Sequence, residues 1–113
     1  MDRKRGLVVG GPGVRRRALA HLLAREGYEA REVESATDAV RLLADLRPDV
    51  VVCDAGLGQA LADVLRTARE RNPGVRCVVT REDATAGGDA LRGADAVLDR
   101  PVNLFELRRI LER

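Results

Sequence analysis

Short apolar runs alternate with longer stretches of helical periodicity five times along this chain: Leu7–Val9, Ala30–Val33, Val50–Cys53, Val75–Val79 and Ala96–Leu98. Runs of this length, separated by amphipathic stretches, predict βα units around a parallel sheet. Three runs are continuous and Val-rich, as central strands covered by helices on both faces are. Glu29-Ala30-Arg31-Glu32-Val33 instead interleaves apolar residues with charge, which predicts an edge strand. Leu19, Leu22 and Leu23 fall on one helical face, and Val40, Leu43 and Ala44 repeat the pattern one unit later.

Local chemistry marks the boundaries. Ser35 followed by Asp38, and Asn103 followed by Glu106, have capping-box spacing at helix starts. Gly27 stands where a helix C-cap needs φ above zero, Pro48 stops the second helix, and Asn72-Pro73-Gly74 turns the third into the fourth strand. The helix after the fourth strand is the weakest, because Gly87 and Gly88 each cost about 1 kcal/mol relative to alanine in a helix interior. It is expected to be short or frayed.

Composition narrows the reading. At 113 residues, 45% hydrophobic, residues 1–113 read as one domain able to bury a core without metal or disulfide staples. Tyr28 and Phe105 are the only aromatic residues and the net charge is +2, so neither a base-stacking platform nor a strongly electrostatic surface for nucleic acid is available. No apolar run is long enough for a membrane span and no secretory segment follows Met1-Asp2-Arg3-Lys4-Arg5, which sets cytoplasmic location as the expectation. Cys53 and Cys77 sit in apolar runs and read as small core residues. His21 has no metal-spaced companion, and Ser35, the sole serine, reads as a cap, so neither a metal centre nor Ser/His/Asp catalysis is indicated.

In an open parallel sheet, reactive groups gather at the carboxyl ends of strands. Those ends carry Gly10-Gly11-Pro12-Gly13, Asp54-Ala55-Gly56, Thr80-Arg81-Glu82 and Asp99-Arg100-Pro101. A carboxylate after a hydrophobic third strand, Thr at the end of the fourth and a basic residue before Pro after the fifth resemble the receiver domain of bacterial two-component response regulators, from Leu7 to the last helix. The resemblance implies a flavodoxin-like (βα)5 doubly wound sheet of order 2-1-3-4-5. It makes Asp54 the phosphoacceptor equivalent, Thr80 the switch threonine and Arg100 the equivalent of the family's lysine.

Five positions depart from that pattern. Gly10 and Gly11 replace the acidic pair that holds Mg²⁺, so metal binding is expected to be weak or absent and no other cofactor is indicated. Arg100 exchanges a compact ammonium for a planar fork, Arg81 follows Thr80 where a small residue is usual and is expected to crowd the route to Asp54, and Val97 stands at the aromatic-switch position. The expectation is a pseudo-receiver without catalytic activity of its own, in which Arg100 pairs with Asp54, by one or two hydrogen bonds, and fixes one conformation.

Its partners would be proteins: a histidine kinase, an output domain following Arg113 or another regulator. Receivers also suggest a homodimer through the fourth predicted helix, the fifth strand and the last helix. Two other readings stay open. One is an atypical receiver still phosphorylated on Asp54. The other is a small anion- or nucleotide-binding domain using Gly10–Gly13 with Arg15, Arg16 and Arg17, three cations that oppose the helix dipole and invite an anion. That loop lacks a Walker ending and the third dinucleotide glycine, although Glu32 or Glu34 lies near the place of a ribose-binding acid.

Overall fold

A computed structural model describes residues 3–112. Five parallel strands, β1 (Lys4–Val9), β2 (Tyr28–Val33), β3 (Val50–Asp54), β4 (Arg76–Arg81) and β5 (Ala96–Asp99), form one sheet in the order β2-β1-β3-β4-β5. The helices are α1 (Gly13–Arg25), α2 (Ala36–Leu43), α3 (Ala60–Arg71) and α4 (Leu104–Glu112), with 3-10 turns at Ala55–Leu57 and Gly88–Gly93. The charge-interleaved second strand is at an edge, as its pattern predicts.

Side-chain alternation along the strands divides the core in two. Leu7, Val9, Val51, Cys53, Cys77 and Val79 pack against Ala39 and Leu43 of α2 and Leu61, Val64, Leu65 and Ala68 of α3. Val8, Val50, Val52, Val78 and Leu98 face Ala20 and Leu23 of α1 and Leu107, Ile110 and Leu111 of α4. Burial pushes the Cys77 thiol up to about 11 and the Cys53 thiol further still, so both stay protonated, inert core groups at neutral pH.

The caps behave as their chemistry requires. Ser35 Oγ accepts from the Asp38 N–H at 3.1 Å, and Asn103 Oδ1 accepts from the N–H groups of Phe105 and Glu106 at 2.8 and 3.3 Å. Gly27 takes φ +94°, closing α1 in the left-handed conformation that favours glycine. Two expectations need correction. In α2 the buried stripe is Ala39 and Leu43, whereas Val40 is 37% exposed and Ala44 faces out. Both stripes satisfy helical spacing, and small Ala39 is the one that lets α2 settle against the sheet. After β4 the chain forms no α-helix: Gly87 and Gly88 take positive φ, and only the 3-10 turn Gly88–Gly93 follows.

Candidate functional site

Asp54 is the last residue of β3 and stands in register with Thr80 of β4, two strand positions beyond the inward-facing Val52 and Val78 respectively. The two side chains therefore share the α1/α4 face at the carboxyl end of the sheet. Asp54 is 9% exposed and Thr80 2%. Asp54 Oδ1 accepts the Gly56 N–H at 2.6 Å, a local turn that Asp and Gly two residues apart favour. Its Oδ2 accepts from Arg100 Nη1 at 3.1 Å, and the Arg100–Pro101 peptide is cis.

The arginine fork does not close on the carboxylate with two bonds. Arg100 Nη2 turns instead toward Glu82 Oε2 at 3.9 Å, so the guanidinium is divided between two acids. Oδ1 of Asp54 is already taken by the backbone, which leaves one oxygen for Arg100.

Gly10 and Gly11 complete the rim. Their φ angles are +80° and +76°, and a Cβ at position 11 would lie 2.6 Å from Asp54 Oδ2. The carboxylate thus occupies space that any side chain at position 11 needs. Such a backbone disfavours every L-residue other than glycine.

Arg81 does not crowd Asp54, contrary to the sequence expectation. As the strand neighbour of Thr80 it points to the opposite face, where Nε donates to its register partner Asp99 at 2.7 Å and Nη1 to the Ala84 carbonyl at 3.0 Å. Val97 is half-buried in β5 opposite Val79 and provides no ring. Of Arg15, Arg16 and Arg17, only Arg16 bonds to the Gly10–Gly13 loop. Arg15 approaches Glu82 at 3.8 Å, Arg16 and Arg17 approach Glu32 at 3.5 and 3.9 Å, and Arg16 Nη1 donates to the Gly11 carbonyl at 2.8 Å.

Solved structures match this fold. A receiver domain (CheY-like) from Methylobacillus flagellatus superposes with TM-score 0.82 at 23% identity, over 98% of this chain and 98% of that one. A response regulator from Burkholderia pseudomallei, solved with a phosphorylated aspartic acid, calcium ion and citrate, matches with TM-score 0.80 at 25% identity over 96% of this chain and 66% of that one. The chain has the receiver fold. A third receiver-fold relative, the response regulator TrrA from Thermotoga maritima in complex with Mg²⁺ and beryllofluoride, matches with TM-score 0.79 at 22% identity over 96% of both chains. No family model and no curated protein matches the sequence.

Several participants in the site carry little sequence signal. Gly56 is foreshadowed by the Asp-x-Gly turn pattern. Glu82 is an exposed acid after a strand, with nothing to mark it as a partner of Arg15 and Arg100. Leu19 and Leu22 read as part of one apolar helical face, yet with Val8, Val52, Ala18 and Val102 they line a cavity of about 490 Å³ that opens beside Asp54.

Proposed function

We propose that the chain is a pseudo-receiver: a signalling module that keeps the receiver fold, takes no phosphoryl group on Asp54, has no catalysis of its own and works through contact with a protein partner. The observation carrying this reading is the seat of Asp54. One carboxylate oxygen accepts from Gly56, the other from Arg100, and the space beside it is closed to any side chain at position 11.

The residues present do not fit Mg²⁺. The ion demands near-octahedral oxygen ligation, usually with carboxylates, and the two rim positions are glycines with left-handed backbone. Without metal, charge on a transferring phosphoryl group has no divalent counterion, and Arg100 is already shared between Asp54 and Glu82. The same Arg100 pairing holds the end of β5 to the end of β3, and Val97 leaves no ring to rotate. Dispersal of Arg15, Arg16 and Arg17 among Glu32, Glu82 and Gly11 favours this reading over a phosphate loop at Gly10–Gly13.

A histidine kinase, an output domain or another regulator is the class of partner the fold implies. The contact face is the 3-10 turn Gly88–Gly93, β5 and α4, with a homodimer through that face as the alternative occupant. Leu104 and Phe105, 54% and 75% exposed at the head of α4, supply apolar area for such a contact.

Incubation with Mg²⁺ and acetyl phosphate, followed by intact-mass measurement, tests the reading. It predicts an unchanged mass. A phosphorylated species that disappears in Asp54→Asn would overturn it in favour of an atypical but active receiver.

A further inference from the structure

The cavity beside Asp54 has the build of a ligand site. Its floor is Val8 and Val52, one wall is Ala18, Leu19 and Leu22 of α1, and Pro101 and Val102 close the other side. A volume of about 490 Å³ falls within the range of small-molecule pockets, and its lining is predominantly apolar. Arg15, Arg16 and Arg100 stand on its polar side.

Two of these arginines are incompletely satisfied. The Nε groups of Arg16 and Arg100 are buried and make no hydrogen bond, although Arg16 Nε has Glu32 Oε1 at 3.5 Å. Buried donors are nearly always paired, and an unpaired one is destabilising, so Arg100 Nε at the cavity points to an acceptor that the folded chain does not itself supply.

The chain also shows which acceptor the seat takes. Glu82, whose side chain is 73% exposed, places Oε2 3.8 Å from Arg15 Nη1 and 3.9 Å from Arg100 Nη2. Both separations are too long for hydrogen bonds, and an exposed pair of this kind is weak. Asp54 and Glu32 hold Arg100 and Arg16 at shorter range, 3.1 and 3.5 Å, so Glu82 is the carboxylate most easily displaced.

We infer that this cavity binds a small organic acid with an apolar body, its carboxylate replacing that of Glu82 between Arg15 and Arg100 and its hydrocarbon lying against Leu19, Leu22 and Val102. A carboxylate belongs here rather than a larger anion because a carboxylate already occupies the position loosely. The apolar body follows from the lining. The cavity site needs neither Mg²⁺ nor phosphorylation, so it stands apart from the fate of Asp54.

Octanoate is the probe, below its micelle concentration, with octanol as the uncharged and acetate as the tailless control. In the ¹⁵N- and methyl-labelled domain, octanoate should produce saturable shifts at the methyls of Leu19 and Val102 and at Arg100 Nε. Octanol and acetate should bind at least about tenfold more weakly, the loss of one charge-assisted contact or of the buried tail. Glu82→Gln removes the internal competitor and should tighten octanoate by about two- to fivefold, the range for an exposed ion pair that contributes.

Ala18→Trp fills the cavity from the exposed face of α1 and should abolish the shifts; Val102→Trp fills it from the other wall should the first variant misfold. Absence of saturable shifts at Leu19 and Val102, equal binding of octanol and octanoate, or an affinity unmoved by Glu82→Gln would each overturn the inference. None of these results bears on phosphotransfer, so the pseudo-receiver reading fails or survives separately.

Discussion

The two ends of the sheet use the same residue types for opposite purposes. Where the strands begin, polar groups are tied down. Asn72 Nδ2 donates to the Pro48 carbonyl at 2.8 Å, and its Oδ1 accepts from the Gly74 N–H at 3.0 Å and from Arg47 at 3.3 Å. Asp95 Oδ2 accepts the Cys77 N–H at 2.7 Å and a bond from Arg69, while Asp49 Oδ2 accepts the Arg5 N–H at 2.7 Å.

Where the strands end, Arg100 is divided between two acids, two guanidinium Nε groups make no hydrogen bond, and Gly10 and Gly11 hold left-handed backbone. Saturated hydrogen bonding staples loops to the sheet. The opposite end leaves donors unsaturated, beside the cavity inferred to take a ligand.

The largest effect should come from the saturated end. Asn72→Ala strands the Pro48 carbonyl and the Gly74 N–H together and should lower unfolding free energy by about 3 kcal/mol in a urea titration. At the other end, Gly11→Asp restores an acid in name only: positive φ and the Asp54 contact should cost about 2 kcal/mol, with no gain in Mg²⁺ affinity by calorimetry.

Arg100→Ala leaves the buried Asp54 carboxylate with only its Gly56 bond, for a loss of about 1–2 kcal/mol and altered amide shifts along β5. Unchanged stability together with unchanged β5 shifts would remove the lock. The smallest effect is one of pH. The Cys77 thiol is raised by burial from 9.0 to about 11, so its neutral form is favoured by folding. Its contribution is fully present below about pH 9 and is lost as pH rises toward 11, amounting to about 1 kcal/mol at pH 10. Cys77→Ala should remove its share of the fall above pH 9 and leave the share due to Cys53, whose thiol burial raises further.

Much of the scaffold is legible from the sequence because its signals are local. Val-rich runs, the Ser35 and Asn103 caps and Gly27 each act within a few residues, and each does in the folded chain what its chemistry indicates. The α2 stripe is ambiguous because two faces satisfy the same period and only contact with the sheet selects Ala39.

Long-range features divide along the same line. The Asp54 and Arg100 pairing follows from the strand ends, whereas the division of the fork depends on Glu82, whose position is set by the loop after β4. Arg81 is misread when placed in a loop. Once β4 extends through it, strand alternation sends it to Asp99. The cavity has no local signature, since Leu19 and Leu22 are apolar residues at core spacing, Val102 lies in the loop before α4, and only tertiary packing leaves the space between them open.

The central claim is that Asp54 is sealed against metal by Gly56 and Arg100, which take its two oxygens, and by a glycine rim that carries no carboxylate. An amide NMR titration with Mg²⁺ and then beryllofluoride, following Asp54, Thr80 and Arg100, tests it most directly. The sealed site predicts no saturable shift near Asp54 at millimolar Mg²⁺ and none when beryllofluoride is added. Saturating shifts centred on Asp54 and passing to Thr80 would contradict it, because they would require a carboxylate free to ligate metal and accept a phosphoryl mimic.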